Sequence, residues 1–460
     1  MFFIHVFATS ISIRYFYPMN DLKNNIRNIF PEIDSDSWLN QLQKDLKGAT
    51  IEDSLHFHNE IEGIDFQSHF HWKEGETCAS APLTKKDKAD NSWVVQQTVV
   101  ETNAKKANEI ALQLLNQGCT GIGFSHLDDA DARYQDILFE FIHSEFEVHH
   151  LLDMPNILRH LPKNVSATFK QDPLSLGKSA DLKDFIDTTL DWHHLRCFQI
   201  DNHQYASAGA NIKQQLGILC AQVNSYFKVL TNIGVSAEVV AQKLEVNLGI
   251  GSNYLFEIAK FRAAQILFRQ ITKAYGVSQE HRIRIKATSL MMNKSLEDPY
   301  TNLLRLTTEG MSAVIGGADI LELQPYDLWS EVGPSAFAYR MSNNISNLLM
   351  EESYFQYVQD AAAGSYSIEH ATKLFAKKGY ELFQTIEKLH GYNAALFTGF
   401  IENEIHNTAQ KRIAGFESGL TKLVGINTFP NPEKSALTWK IPTAAFPHLV
   451  LESAKKGVNA

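Results

Sequence analysis

The sequence predicts an α/β fold, a (β/α)8 barrel preceded by an extended and helical arm. Three observations carry that expectation. Eight short apolar runs alternate with longer helical patterns between Trp93 and Leu323, the order that builds a parallel sheet with helices on its outside. The stretch 295–323 reads as one helix feeding one short strand, which is half of a βαβ unit. A chain of 460 residues can bury one large domain and still carry an appendage.

Residues 1–18 are apolar and aromatic. They lack a basic start and a small-residue cleavage site, so they read as an apolar leader or a start-site extension rather than a secretion signal. Residues 19–90 form the arm. Its segment 21–48 reads as helical pieces, with Trp38 and Leu42 on an apolar face and Gly48 as the stop. Two His-x-His pairs follow, His56 with His58 and His69 with His71. Alternate residues of a strand share a face, so each pair could offer two metal ligands. No nearby cysteine or acidic triad completes such a site, and two solvated strand faces are the alternative; no metal is expected. The polar, lysine-rich segment 84–91 reads as a loop before the barrel.

The barrel is expected over 91–400. Its strands are placed at 93–100, 121–124, 147–151, 165–169, 197–201, 245–248, 282–287 and 320–323, and helical patterns at 108–116, 132–144, 212–229 and 254–275. In the 295–323 unit, Asp298 suits an N-cap and Pro299 the first helical position. Leu304, Thr307, Met311 and Val314 recur at helical spacing as a buried stripe, and Gly316-Gly317 ends the helix. Helical patterns continue after Tyr366, with Phe375, Tyr380 and Phe383 as packing residues, and 401–460 reads as a tail. No short-period repeat points to a solenoid.

Composition narrows the function classes. Hydrophobic residues make up 44% and charged residues 20%, ordinary for a soluble protein. The net charge of −10 disfavours a nucleic-acid partner. Cys78, Cys119, Cys197 and Cys220 are far apart and form no C-x-x-C, the pattern of reduced thiols in a cytoplasmic protein. No apolar run is long enough to span a bilayer.

Several segments carry a family resemblance. The run Glu297-Asp-Pro-Tyr-Thr-Asn-Leu-Leu-Arg305, the helix with Glu309, Gly316-Gly317, Glu351-Glu-Ser353 and Asp360-Ala-Ala-Ala-Gly-Ser-Tyr366 resemble, in the same order, the TIM barrel of the methylmalonyl-CoA mutase (acyl-CoA mutase) family. Trp38 to Gly48 with Glu62-Gly-Ile64 resembles that family's N-terminal arm, which the resemblance implies wraps a partner subunit. Lys411-Arg-Ile413 and Val424-Gly-Ile-Asn-Thr-Phe-Pro-Asn431 resemble its exit from the barrel. The family interconverts methylmalonyl-CoA and succinyl-CoA through radicals from adenosylcobalamin, a reaction in which the cofactor carries the hard chemistry.

The resemblance fails where chemistry is expected. Catalytic members carry a cobalamin-binding domain with Asp-x-His-x-x-Gly. Here Asp201-Asn-His203 has Ala206, and Asp191-Trp-His193 has Arg196, at the glycine position, so no C-terminal cobalamin-binding domain and no cofactor bound by this chain are expected. Catalytic members read Gly-Tyr-His-Met-Gln-Glu-Ala-Gly-Ala after the fifth strand. This chain reads Asn202-His-Gln-Tyr-Ala-Ser-Ala-Gly-Ala210, placing His203 on the family tyrosine and Gln204 on its catalytic histidine. A glutamine cannot become a cation or a general acid. Glu322 falls on another family histidine, and Lys170-Gln-Asp-Pro-Leu174 on a carboxylate-binding region, with Asp172-Pro-Leu174 resembling small subunits. The resemblance therefore implies the small, non-catalytic subunit of a heterodimer whose large subunit binds adenosylcobalamin and the acyl-CoA substrate. The alternative is an active barrel working with a separate cobalamin-binding subunit. In its favour, Arg282, Arg284 and Lys286 alternate along one strand, and Arg284 and Lys286 could face a CoA phosphate; a basic face met by acidic neighbours is the other reading.

Overall fold

The computed structural model describes residues 33–68, 70, 90–126, 130–150, 153–172, 179–278, 281–444 and 446–452. Residues 1–18, His69, His71 and Cys78 lie outside them. The chain divides into two compact units, Met1–His58 with Asp65–His71 and Asn59–Ile64 with Trp72–Ala460.

In the first unit a helix spans Ser35–Asp45. Asp34 caps it, accepting from the Ser37 amide at 2.7 Å, and Asp36 and Lys44 sit at the ends their charges favour. Gly48, at φ +105°, lies just beyond its end, as the sequence suggested. A short helix, Ile51–Leu55, leads into the strand His56–Asn59 (β1), which pairs with Ile64–Gln67 (β2) in a two-stranded hairpin.

The second unit is a ring of parallel strands. Its segments are Val94–Val99 (β3), Gly121–Phe124 (β4), His143–Glu147 (β5), Ser166–Lys170 (β6), Leu195–Arg196 (β7), Phe198–Asp201 (β8), Leu244–Ile250 (β9), Arg284–Ser289 (β10) and Ile320–Glu322 (β11). β3 to β7 pair in chain order, β8 to β11 do likewise, and β11 returns to β3. β7 bonds β6 and β8 bonds β9, yet only Cys197 separates the two. They fill one place in the ring, so the nine segments make an eight-position barrel. The Cys197 and Phe198 amides both donate to the Lys243 carbonyl, at 2.9 and 3.2 Å. That shared acceptor shifts the pairing from one neighbour to the other, so the ring itself has no free edge among the described residues.

Helices at Ala104–Asn116, Ser179–Thr188, Ile212–Asn232, Tyr254–Lys273, Thr301–Ile315 and Ala336–Glu351 cover the outside. Asn211 and Gln214 form a reciprocal capping box at the start of the Ile212–Asn232 helix. No helix among the described residues is long and apolar enough to cross a membrane.

Three local expectations are corrected. The expected helix at 132–144 is a short helix, Ala130–Arg133, followed by a turn with Asp136 at φ +60°. The strand expected at 147–151 is instead His143–Glu147. Tyr134 and Phe139 lie five residues apart, off any one helical face, and both enter an aromatic cluster, with Tyr134 5.1 Å from Phe124 and 5.7 Å from Phe146. Long-range ring packing, not helix periodicity, sets that spacing. In the 295–323 unit, the helix begins at Thr301, and Asp298 bonds the Thr301 hydroxyl at 2.5 Å instead of capping amides. Its buried face is Asn302, Leu306, Glu309, Gly310, Ala313 and Val314, while Leu304 is 70% exposed. The buried polar pairs of that face, absent from any apolar template, rotate the stripe.

Beyond the ring, Tyr366–Lys388 packs along Ile212–Asn232 and Tyr254–Lys273, and Phe400–Glu417 follows. Two glycines allow the first contact. A Cβ on Gly217 would lie 2.8 Å from the Leu382 Cβ, and one on Gly379 2.7 Å from the Leu216 Cβ. Gly379→Ala gains roughly 1 kcal/mol of helix propensity but overpacks the contact at about 1–3 kcal/mol. A lower melting temperature is expected in thermal denaturation; an increase would show that the helices separate freely.

Candidate functional site

The site is defined by what points into the ring. Side chains alternate along a strand, so His143, Glu145 and Glu147 of β5 face inward while Ser144 and Phe146 face the helices. Three tiers of polar groups fill the axis. In the lowest, Arg284 meets His143 Nδ1 at 3.2 Å and the Ser166 hydroxyl at 3.3 Å. In the middle, Lys286 Nζ lies 2.8 Å from both Glu145 oxygens and 2.6 Å from Glu322 Oε2. Gln199 donates to Glu145 at 2.8 Å and to Glu245 at 2.9 Å, and Glu245 also accepts from Thr168 at 2.9 Å and pairs with Arg284 at 3.3 Å. The upper tier holds Lys170 beside Glu147 at 3.5 Å, and Asn247 donating to Asp201 at 3.1 Å.

Glu145, Glu245, Lys286 and Glu322 are all buried. Burial opposes charge, yet Lys286 and Lys170 hold the Glu145 carboxyl below its ordinary range. Burial would lower Lys286, but Glu145 and Glu322 outweigh it and raise its pKa. Glu245 is pushed up by burial, with Arg284 acting against the rise. His143 is driven well down by burial, then by Arg284 and Lys286. It is therefore neutral, with Nδ1 accepting from Arg284.

The sequence-selected residues fall in different places. His203 and Gln204 open the short helix His203–Ser207 at the C-terminal mouth of the ring. His203 Nε2 faces the Ser289 carbonyl at 3.4 Å, and burial lowers its pKa despite Asp201 nearby. Gln204 donates to the Asp201 carbonyl at 3.0 Å. Arg284, Lys286 and Glu322 are inside, Arg284 paired with Glu245 and Lys286 with Glu145 and Glu322, while Arg282 clamps Asp319 at 2.7 and 2.8 Å. His56 and His58 are exposed on β1, with His58 2.7 Å from Asp65. No group of three metal-binding side chains occurs among the described residues. Of the two near-misses to the cobalt-ligand motif, His203 packs against Ser289 and Ser207, and His193 is exposed in a turn.

Sequence reasoning missed Glu145, Gln199 and Glu245. The available signal was period-two polarity in His143-Ser-Glu-Phe-Glu147. It also missed the covering of the mouth. Residues 446–452 run back across it, with Leu449 N bonding Ser207 O at 2.8 Å, Leu451 N bonding Met292 O at 3.0 Å, and Glu452 accepting from Leu296 N at 3.0 Å. Leu449 and Leu451 join Ala206, Leu290, Met292, Phe416 and Leu423 in a buried cluster. His448 lies 4.6 Å from the Trp329 ring, its pKa held down to about 4 by burial and by His203.

The remaining motifs have structural roles. Glu309 receives Lys294 and Asn293, each at 2.8 Å, inside the core. Arg262 binds Asp360 and Glu369, which fixes the 360–366 loop against the Tyr254–Lys273 helix. Glu351, Glu352 and Ser353 are exposed at a helix end.

A family model described as methylmalonyl-CoA mutase matches residues 176–448. The chain is 30% identical over 444 residues to the methylmalonyl-CoA mutase small subunit of Porphyromonas gingivalis, covering 89% of this chain and 72% of that one. It is 32% identical over 237 residues to the corresponding small subunit of Streptomyces virginiae, covering 51% and 38%. It is 28% identical over 251 residues to a methylmalonyl-CoA mutase of Cereibacter sphaeroides, covering 54% and 35%. These last two matches thus span little more than a third of the relatives' length.

The axial network sets a stability prediction. Lys286→Met leaves two buried carboxylates without their cation, at a cost of about 3–5 kcal/mol. The denaturant midpoint should fall accordingly, and Glu145→Gln with Glu322→Gln in the same background should recover much of it. An unchanged midpoint for the single variant would show that the triad carries no coupling.

Proposed function

Because the chain belongs to the methylmalonyl-CoA mutase family, we propose that it is the small, non-catalytic subunit of a heterodimeric, adenosylcobalamin-dependent mutase. On this reading the large subunit binds the cofactor and interconverts methylmalonyl-CoA and succinyl-CoA, and this chain supplies a folded partner surface. The observation that carries the reading is Lys286 held between Glu145 and Glu322 across the barrel axis. Ion-paired side chains thus fill the middle of the ring. Two positions agree in chemistry: Gln204 at the mouth cannot act as an acid, and Glu322 inside the ring is committed to Lys286. Arg284 and Lys286 are likewise engaged by carboxylates, which weighs against a barrel that holds a CoA phosphate with them.

Supplied with adenosylcobalamin and methylmalonyl-CoA, the purified chain should show no turnover. Gln204→His should not restore it, because catalytic groups act as a unit and the axial ion network remains. Turnover by a preparation free of large subunit would overturn the proposal.

The chain should co-purify with a catalytic mutase chain. We place the helix Ser35–Asp45 and its flank in that contact, because Trp38, Leu42 and Leu46 share one helical face and Trp38 keeps 36% of its surface exposed. Deleting residues 21–48 should leave a folded barrel that no longer co-purifies. Retained pairing would remove the arm from the interface; no pairing by the intact chain would defeat the small-subunit proposal itself.

A further inference from the structure

Residues 446–452 form a strap over the C-terminal mouth of the barrel. Its far half is held by the Leu449 and Leu451 amides, which donate to the Ser207 and Met292 carbonyls, and by the Glu452 carboxylate, which accepts from the Leu296 amide and, at 3.4 Å, from the Trp439 indole. At its near end Phe446 packs edge-on against Tyr205, with ring centroids 4.8 Å apart. Between these contacts His448 meets Trp329, the two rings tilted by 39°. His448 Nδ1 is buried and has no hydrogen-bond partner among the described residues.

That geometry suits a neutral imidazole and not a charged one. Protonation makes both ring nitrogens donors, and the buried Nδ1 would become a charged donor with no acceptor. A cation over the indole gains a cation–π contact, but a charged group left unpaired in the interior loses more than that contact returns. The titratable and charged groups around His448 do not reverse this balance. They are Asp201 and His203 beneath the strap, Glu402 and His406 on the Phe400–Glu417 helix across an adjoining groove, Glu452 farther along the strap, and the exposed Glu331 and Lys440 beside Trp329. Burial, then His203, lowers the His448 pKa from the ordinary 6.5 to about 4, against the pull of Asp201.

We propose that 446–452 is an acid-released strap, with His448 as its proton sensor. In the closed strap His448 is neutral; in the released strap water reaches both ring nitrogens and the ordinary value returns. A group whose pKa is depressed in the closed state stabilises closure fully above 6.5 and loses that contribution as the pH falls towards 4. With one proton and these two values, release becomes about tenfold more favourable between pH 7.5 and pH 5.5. That window lies above the ordinary carboxylate range. Release uncovers the apolar cluster of Ala206, Leu290 and Met292 that Leu449 and Leu451 complete. Access to the mouth is then set by pH, whichever subunit role the chain has.

Hydrogen exchange of the full chain tests this, with mass-spectrometric readout of the peptide that carries the Leu449 and Leu451 amides and correction for the intrinsic pH dependence of exchange. Protection of that peptide should fall about tenfold from pH 7.5 to pH 5.5, while protection of the barrel strand Leu244–Ile250 holds. His448→Phe keeps a ring against Trp329 and cannot be protonated; His448→Gln is a second neutral variant, informative if the larger ring perturbs folding. Both should flatten the response, and His203→Gln should keep it. Protection in the wild-type chain that is flat or rises on acidification would overturn the proposal. So would an equal loss in Leu244–Ile250, which reports global unfolding, an undiminished response in a folded neutral variant, or its disappearance in His203→Gln, which would move the sensor to His203.

Discussion

The ion triad of Glu145, Lys286 and Glu322 is the constraint on which the rest of the barrel depends. β5 and β10 lie four places apart in the eight-position ring, so the Lys286–Glu145 bond spans the axis. Taking these charges out of water is costly, and only close geometry with further hydrogen bonds offsets that cost. Gln199 supplies one such bond and passes the connection to Glu245, which is tied in turn to Thr168 and Arg284. A one-residue slip of any contributing strand would turn its charged group towards the outer helices. The network therefore penalises alternative registers more sharply than an apolar filling would.

Closure of the ring follows the same economy of groups. A single carbonyl, that of Lys243, receives two successive amides where β7 gives way to β8. The Lys243 ammonium meanwhile binds the Thr189 and Trp192 carbonyls at 2.6 and 2.7 Å, holding the preceding connection in place. At the C-terminal face, 446–452 joins loops that follow three different strands, through backbone bonds to Ser207 and Met292 and the His448–Trp329 contact. The face where barrel enzymes ordinarily place their chemistry is here partly covered by the chain itself.

These features bear on function in one direction. The interior of the ring is crossed by ion pairs, Lys286 with Glu145 and Glu322 and Arg284 with Glu245, which hold it as a packed polar core. At the mouth, Glu147, Asp172 and Asp201 line a cavity beside Lys170 and His149, with Lys170 paired to Glu147 at 3.5 Å. Fold alone does not assign function; here family membership gives the chemical setting, and the side chains within the barrel are what the proposed role rests on.

The sequence by itself determined the alternation of strands and helices, the glycine stop at Gly316-Gly317 and the family. Each of these is written in local pattern or residue identity. Only the tertiary structure decided that β5 runs from His143 to Glu147, because the apolar residues before it, Tyr134 and Phe139, pack into an aromatic cluster rather than onto a helix face, and only it brought Glu145 to Lys286. Those two residues are 141 positions apart, and nothing local to either reveals the other. The return of 446–452 over the mouth was equally hidden, since a short apolar segment acquires its meaning from the cluster it enters. Periodicity reports which face of an element is buried; what that face meets is settled by closure of the ring.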